Sequence, residues 1–242
     1  MERGEYEAMH RLEGRMWWYR GLRALVCERL GGPPAGERPL LDAGCGTGGM
    51  LQEIRTRLPA WRCLGIEYDF EAARLAAAKS RSSVGVGSVE RLPLADGTLG
   101  AIVCLDVLSH RTVTPALALA EFARCLESGG ILLLNLPAYG WMLSAHDRRV
   151  HNARRFNRAE AYAALTAAGF RVTRASYWNT LLFPLIALRR VLGRDAASSD
   201  VQEYPPLLDR LFSAALALER RVIGAGLDLP FGASLMMIAT KN

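Results

Sequence analysis

One stretch decides the fold, Leu40-Leu41-Asp42-Ala43-Gly44-Cys45-Gly46-Thr47-Gly48-Gly49-Met50. Its two leucines are typical of the end of a buried strand, its glycines of a tight turn, and residues 50–54 of the start of a helix. Glycine adopts backbone angles closed to other residues, and the start of a helix offers free N–H groups to a ligand. The stretch therefore predicts a strand, a glycine-rich loop and a helix that bind a nucleoside-like cofactor.

Two acidic residues extend this glycine pattern. Asp42 precedes Gly44 by two positions, and Glu67 follows 25 residues after Asp42, at the end of the next predicted strand. In a doubly wound sheet, an acid at that place binds the ribose hydroxyls of a cofactor. The glycines alone also occur in dehydrogenases and in plain strand–helix packing, so the acids favour a cofactor site.

With Asp42-Ala43-Gly44-Cys45-Gly46-Thr47-Gly48 and Gly65-Ile66-Glu67-Tyr68-Asp69, the chain resembles the class I S-adenosylmethionine-dependent methyltransferases. The resemblance implies an α/β, Rossmann-like fold with a doubly wound seven-stranded sheet, mostly parallel with an antiparallel last strand. It implies S-adenosylmethionine as cofactor and S-adenosylhomocysteine as product. We expect a single methyltransferase domain over residues 1–242, with an N-terminal helical lid (1–34), a cofactor-binding core (35–178), a helical insertion (179–230) and the last strand (231–242).

Hydrophobic periodicity gives the order of the elements. An N-terminal helix is predicted over 5–30 and is stopped by Gly31-Gly32-Pro33-Pro34. Further strands are predicted at 61–67, 83–88, 101–105, 131–137, 170–177 and 234–241. Further helices are predicted at 70–80, 115–126 (ended by Gly129-Gly130), 158–168 and about 206–223.

Composition narrows the class of protein. The chain has 242 residues, half of them apolar, which suits one substantial core. Its net charge of +6 comes almost wholly from scattered arginines, so a small-molecule partner is favoured over nucleic acid. The five cysteines have neither C-x-x-C nor metal-ligand spacing, and the N-terminus lacks the apolar run of a signal peptide. We expect a cytoplasmic monomer or homodimer without a bound metal or a membrane span.

The family resemblance implies which residues contact the cofactor. Ser88 stands where relatives often carry an aspartate near the adenine amine, so the backbone of Val89 carries this recognition or adenine binds more weakly. Tyr19 and Arg23 belong to the N-terminal helix, which in many relatives touches the methionine end of the cofactor. The predicted contacts in the core are Asp42, Gly44, Cys45, Gly46, Glu67, Tyr68, Ser88, Val89 and Leu105.

The loop over 139–156 concentrates the residues expected to meet the methyl acceptor. His146 and His151 are the first candidates for a general base, and His110, after the fourth predicted strand, is the next. Tyr139, Asp147, Arg154 and Arg155 are predicted substrate-binding residues, with the arginines holding an acidic group. A metal site is less favoured because Asp147 is the loop's single acid. Alternatively, Asp147 pairs with an arginine and the loop is a lid.

The same loop resembles a bacterial subgroup of the family, in which Pro-Ala-Tyr is followed by His-Asp and then His-x-x-Arg-Arg. Members of this subgroup are usually assigned small-molecule, sugar-linked or lipid-linked substrates. The sequence therefore predicts methyl transfer to an oxygen, or less favourably a nitrogen, of a small molecule. An acidic acceptor, or one linked to a lipid or sugar, is the kind expected. Three alternatives stay open: a cofactor-binding protein that does not methylate, a cyclisation catalyst, and a nucleic-acid methyltransferase. The insertion would pack on the core or cover the substrate cleft, or else form a dimer interface or rest on a membrane surface.

Overall fold

The computed structural model describes residues 3–33, 38–191 and 203–242. In this part of the chain, seven strands form a single sheet. The strands are β1 (Leu40–Ala43), β2 (Cys63–Glu67), β3 (Ser83–Val86), β4 (Leu99–Leu105), β5 (Leu126–Pro137), β6 (Phe170–Trp178) and β7 (Ser234–Lys241).

The strand order is β3-β2-β1-β4-β5-β7-β6. Strands β1 to β5 pair in parallel, while β7 lies between β5 and β6 and is antiparallel to both. The predicted sheet, with its antiparallel last strand, is confirmed. The order reverses between β1 and β4, and ligands of open α/β sheets bind at the carboxyl ends of the strands at such a point.

Helices cover both faces of the sheet and form one layer of the core on each face. Side chains of β4 pack into both layers. Ile102 and Cys104 face one layer with Phe122, whereas Val103 faces the other with Leu25. This alternation is the reason why β4 is a continuous apolar run. The helices are α1 (Arg3–Leu12), α2 (Trp17–Leu30), α3 (Gly49–Arg57), α4 (Phe70–Ser80), α5 (Pro115–Cys125), α6 (Ala145–Arg149), α7 (Arg158–Ala167), α8 (Phe183–Val191) and α9 (Pro206–Gly224).

Two predicted boundaries are wrong. The helix expected over 5–30 is two helices, α1 and α2, because the chain turns at residues 13–15. The turn brings the Glu13 carboxylate to the Thr47 hydroxyl, whose Oγ1 donates to Glu13 Oε1 at 2.6 Å. Helix α5 ends at Cys125 rather than at Gly129-Gly130, because residues 126–130 already belong to β5.

Contacts between α2 and α9 join the N-terminal helices to the predicted insertion. The ring of Trp17 packs edge-on against Phe212 at 5.2 Å between centroids. The backbone N–H of Trp17 donates to Asp209 Oδ1 at 2.9 Å, and Arg20 forms an ion pair with the same carboxylate. Helix α2 and the last helix of the predicted insertion are therefore attached to each other.

Candidate active site

A cavity of about 850 Å³ opens at the carboxyl ends of β1, β2 and β4. Helices α1 and α2 cover one end, and α8 covers the other. Single small-molecule sites usually measure about 300–1,000 Å³, so this cavity lies near the upper end of that range. Its place at the reversal of strand order is the one where a doubly wound sheet binds its ligands.

The glycine-rich loop lines this cavity in a conformation that requires glycine. Gly44, Gly46 and Gly48 have φ angles of +81°, +54° and +89°. A Cβ on Gly44 would lie 2.3 Å from Val107 Cγ2, and one on Gly46 would lie 2.9 Å from Met9 Cε. The loop therefore combines left-handed backbone with close approach by two neighbouring segments, as a nucleotide-binding turn does.

Glu67 ends β2 and is held in place by four hydrogen bonds. Its Oε2 accepts from the backbone N–H of Gly46 at 2.8 Å. Its Oε1 accepts from the N–H groups of Tyr68 and Asp69 at 3.0 and 3.1 Å, and from the Tyr6 hydroxyl at 3.1 Å. Burial and the Glu67 charge raise the pKa of Tyr6, so this phenol stays protonated. The acid predicted to bind ribose is thus fixed at the cavity wall.

Asp42 carries an unsatisfied buried oxygen into the same cavity. The residue is 2% exposed, and its Oδ2 has no hydrogen-bond partner among the described residues. Burial, and then the charges of Glu67 and Glu13, raise the pKa of Asp42 to about 8. A cationic group or a hydrogen-bond donor on a ligand would satisfy this oxygen. S-adenosylmethionine brings both kinds of group, so the residues present fit this cofactor.

The other predicted cofactor contacts also line the cavity. Tyr19 and Arg23 reach it from α2, although Arg23 is 7% exposed and also joins α2 to α3 and to the turn after α1. Its Nε lies 3.6 Å from a carboxylate oxygen of Glu53, and its guanidinium donates to the backbone carbonyl of Glu13. The remaining cavity-lining residues of this set are Cys45, Tyr68, Ser88, Val89 and Leu105.

Asp106 lines the cavity and had no predicted role. It follows β4 directly, has a φ of +59°, and its carboxylate accepts from Asn135 Nδ2 at 2.9 and 3.0 Å. Asn135 Oδ1 in turn accepts from the indole of Trp178 at 2.7 Å. Burial raises the pKa of Asp106 to about 7 against these hydrogen bonds. Its position at the carboxyl end of the central strand is visible in the sequence and could have identified Asp106 as a candidate site residue.

His110 and His151 meet at the cavity wall, with ring centroids 6.3 Å apart. Burial above all, with the positive charges of His151 and Arg111 among the further causes, lowers the pKa of His110 to about 4, so its ring is neutral near pH 7. His151 has a φ of +61°, and its carbonyl accepts from the N–H of Arg111 at 2.8 Å. His146 lies in α6, and its side chain falls outside the described part of the structure.

Asp147 organises the predicted substrate loop. It is 1% exposed and pairs with Arg155, whose Nη2 lies 2.9 Å from Oδ2. Ser144 and Asn152 donate to the same carboxylate at 2.8 to 3.3 Å. Burial would raise the pKa of Asp147, but Arg155 and these donors lower it overall. The ion pair proposed for a lid is therefore present, beside the cavity that both partners line.

Two other predicted substrate residues are not among the described residues that line the cavity. Arg154 Nη1 donates to the backbone carbonyls of Leu108, His110 and Val113 at 2.6 to 3.1 Å, which ties the loop to the end of β4. The Tyr139 ring stacks on Tyr177 at 5.3 Å. Within the described ranges no group of three or more His, Cys, Asp or Glu residues is placed to hold a metal ion.

Comparison with known proteins agrees with this geometry. Residues 41–134 match the family model described as "Methyltransferase domain". This part of the chain is therefore similar to a methyltransferase domain. A malonyl-[acyl-carrier protein] O-methyltransferase of Dechloromonas aromatica is 35% identical over 45% of this chain and 41% of its own length. The chain spans less than half the length of the first curated relatives that it matches.

Solved structures share the fold over nearly the whole chain. The complex of the Haloferax volcanii Trm112 methyltransferase activator contains a chain that aligns with a TM-score of 0.63 and 19% identity, over 98% of this chain and 94% of that one. A geranyl diphosphate C-methyltransferase of Streptomyces coelicolor, solved with S-adenosylhomocysteine, aligns with a TM-score of 0.62 and 14% identity, over 92% and 79%. The chain therefore has the fold of the class I methyltransferases. No helix in the described ranges has the length and apolarity needed to cross a membrane.

Proposed function

We propose that this chain transfers the methyl group of S-adenosylmethionine to an oxygen, or less favourably a nitrogen, of a small molecule and releases S-adenosylhomocysteine. The observation that carries the proposal is the cavity wall formed by the glycine loop, Asp42 and Glu67. These residues supply a close backbone approach, an unsatisfied buried carboxyl oxygen and a fixed carboxylate at one point of reversal in the sheet.

The remaining cofactor contacts follow from the same wall. Glu67 would bind the ribose hydroxyls, Ser88 and the backbone of Val89 the adenine, and Asp42 the methionine end. Tyr68, Leu105 and Cys45 would pack around the nucleoside, and Tyr19 with Arg23 would close the site from α2. This assignment rests on the residues that line the cavity.

When bound, the cofactor supplies a methyl group already attached to a good leaving group. The protein then has to hold the acceptor atom in line with the methyl group, exclude water and take up a proton. His151 and Asp106 face the cavity, and a base works best when its pKa lies near the working pH, which favours Asp106 with a pKa of about 7. His110, with a pKa of about 4, would be a weaker base.

Tests of the donor and of the base use different measurements. Calorimetry with S-adenosylmethionine and S-adenosylhomocysteine tests the donor, and the absence of binding would reject it. An acceptor screen follows S-adenosylhomocysteine formation; cofactor binding without product from any acceptor would indicate a non-methylating protein. Once an acceptor is known, Asp106→Asn and the double change His146→Ala with His151→Ala are compared with Arg171→Gln on the exposed start of β6. Unchanged turnover would remove the corresponding base.

The acceptor is proposed to be acidic, as the sequence suggested, and the comparisons lend support. The named substrate of the Dechloromonas relative is a malonyl group, which ends in a carboxylate. Arg154 and Arg155, the residues first proposed to hold such a group, are occupied by backbone carbonyls and by Asp147. We therefore assign them a positioning role in the loop.

A further inference from the structure

We propose that Asn135 and Trp178 are positioning residues for Asp106. The Trp178 indole fixes the orientation of the Asn135 amide, and this amide keeps the Asp106 carboxyl in its ionised, proton-accepting form at the cavity wall. The role of Asp106 as a base rests on the proposed function. Titration of the carboxyl itself tests the positioning without any methyl acceptor.

Asn135 binds Asp106 through both its backbone and its side chain. Leu105, the last residue of β4, pairs with Asn135 of β5, which brings the next residue, Asp106, beside it. The N–H of Asp106 donates to the carbonyl of Asn135 at 2.9 Å, and Asn135 Nδ2 donates to both carboxyl oxygens at 2.9 and 3.0 Å. Asp106 has a φ of +59°, a left-handed conformation that a residue other than glycine keeps where its surroundings hold it. The hydrogen bonds with Asn135 help to hold it there.

The Trp178 indole determines which end of the Asn135 amide faces Asp106. Trp178 belongs to β6, and its Nε1–H reaches Asn135 Oδ1 at 2.7 Å past the intervening strand β7. An indole N–H only donates, at every pH, so the amide atom beside it must be the oxygen. The amide nitrogen is thereby directed to the Asp106 carboxyl. The Trp178 ring is itself 1% exposed and stacks on Trp18 of α2, with 5.9 Å between centroids.

The amide stands where packing alone would favour an apolar residue. Asn135 is 0% exposed and lies between Leu134 and Leu136 in an apolar strand. Burial of an amide costs free energy unless hydrogen bonds replace those to water, and a leucine of similar size avoids that cost. The two buried groups lead to a carboxyl that lines the cavity. A role for that carboxyl therefore explains them better than core packing does.

The charge of Asp106 depends on its neighbours in three segments. Burial raises its pKa, the Asn135 amide and then Arg155 lower it, and Asp147 raises it. On β4, the Cys104 thiol stays neutral, because burial above all, with the charge of Asp106 among the further causes, raises its pKa. Since the pKa of Asp106 is about 7 with the amide in place, loss of the amide would leave the carboxyl protonated at neutral pH. A protonated carboxyl could not take the proton of an acceptor.

Carbon NMR on the full chain, labelled at the aspartate Cγ, follows the Asp106 carboxyl, whose signal is the one that Asp106→Asn removes. Asn135→Leu is expected to raise its titration midpoint by about one pH unit or more, because a hydrogen bond to the charged form is lost. Trp178→Phe is expected to raise it by about half a pH unit or more, because the freed amide can turn its oxygen to the carboxyl. Trp61→Phe is the matched control, since it removes another buried indole N–H, which donates to the Gly31 carbonyl at 2.9 Å, and should leave the midpoint unchanged.

The wild type supplies a second measurement that needs no change in the core. The indole N–H signal of Trp178 should move with the same midpoint as the Asp106 carboxyl, while that of Trp61 stays constant. A Trp178 signal that does not respond while the carboxyl titrates would overturn the proposal. So would a wild-type carboxyl midpoint in folded Asn135→Leu or in folded Trp178→Phe.

Turnover reports on the proposed function separately. With a known acceptor, the rise of turnover with pH should move to higher pH in Asn135→Leu by the same interval as the carboxyl midpoint, because the base must be ionised. Wild-type turnover in Asp106→Asn, together with shifted midpoints in the two variants, would reject the base and keep the positioning. Unshifted midpoints with loss of turnover in Asp106→Asn would reject the positioning alone.

Discussion

The hydroxyl of Tyr6 donates a 3.1 Å hydrogen bond to Oε1 of Glu67, the carboxylate that we propose for the ribose of the cofactor. Two backbone N–H groups donate to the same oxygen, which leaves it no free lone pair. A ribose hydroxyl that binds Oε1 must therefore displace the phenol. Helix α1 thus occupies part of the site that it also covers.

The change Tyr6→Phe is expected to strengthen binding of S-adenosylhomocysteine about 2- to 5-fold. In the variant, ribose binding no longer has to break the hydrogen bond from Tyr6 to Glu67. Such a bond contributes about 0.5–1 kcal/mol net. Calorimetry measures the affinity, and Tyr162→Phe on the exposed face of α7 is the control. Weaker binding by the Tyr6 variant would mean that the phenol contacts the cofactor instead of competing with it.

Asp42→Asn is expected to flatten the pH dependence of stability in the unliganded protein. Burial raises the pKa of this carboxyl from 3.8 to about 8, so the folded state holds a proton that the unfolded state releases between these values. Stability is therefore greatest below pH 4 for this group and falls as the pH rises towards 8, by at most about 1.4 kcal/mol per pH unit.

Urea unfolding of the wild type and of Asp42→Asn at pH 5, 6, 7 and 8 measures this slope, with Asp228→Asn at an exposed ion pair as control. The variant should also bind S-adenosylhomocysteine at least 10-fold more weakly, because its amide cannot pair with an ammonium group. Identical slopes for variant and wild type would show that Asp42 is already ionised in the folded chain.

Gly48→Ala is expected to destabilise the fold more than Gly97→Ala. Both glycines have positive φ angles, +89° and +63°, so each alanine carries a backbone cost of about 1–2 kcal/mol. A Cβ at Gly48 would lie 2.6 Å from the backbone Cα of Ala76, whereas nothing lies within 4 Å of one at Gly97. Equal midpoints of thermal unfolding would show that the packing of α4 on the loop can relax.

Asp209→Ala is expected to lower the free energy of unfolding by about 1 kcal/mol. Helix α2 lacks a side-chain cap of its own at Met16, and Asp209 of α9 accepts from its first N–H instead. The control is Asp228→Ala, which removes a surface ion pair with Arg174 and should cost less. Urea titration compares the two; a smaller loss at Asp209 would contradict its capping role.

The cofactor end of the site could be predicted because its signals are local. The glycines and Asp42 lie next to the strand that they follow, and Glu67 ends the next strand, so a short stretch of sequence carries each position. Strand β4 could be predicted because it is a continuous apolar run whose residues pack into both core layers. Patterns of this kind can be recognised in a single sequence, since each depends only on residues that are close together along the chain.

The acceptor end, and the contact of Tyr6 at the cofactor end, could be predicted only in part, because these contacts join distant segments. Tyr6 donates a hydrogen bond to Glu67, which lies 61 positions further along the chain, and no periodicity in the sequence predicts this contact. Arg154 and Arg155 were visible as a basic pair, and the sequence offered an ion pair of Asp147 with an arginine as one alternative. That Arg155 is this arginine, and that Arg154 binds backbone carbonyls, became known only from the fold. Arg189 and Arg190 looked like the basic end of an apolar stretch until α8 placed them over the cavity.

The attachment of α2 to α9 through Trp17 and Asp209 has a kinetic consequence. A movement of α2 that admits the methyl donor would carry α9. The N–H of Leu181, just before α8, donates to Glu219 Oε1 of α9 at 2.7 Å, so the same movement would reach α8, the cover over the other end of the cavity. Donor and acceptor would then share a single opening event. A variant that loosens this attachment, such as Asp209→Ala, should therefore change the association rates of donor and acceptor in the same direction, which stopped-flow binding measures.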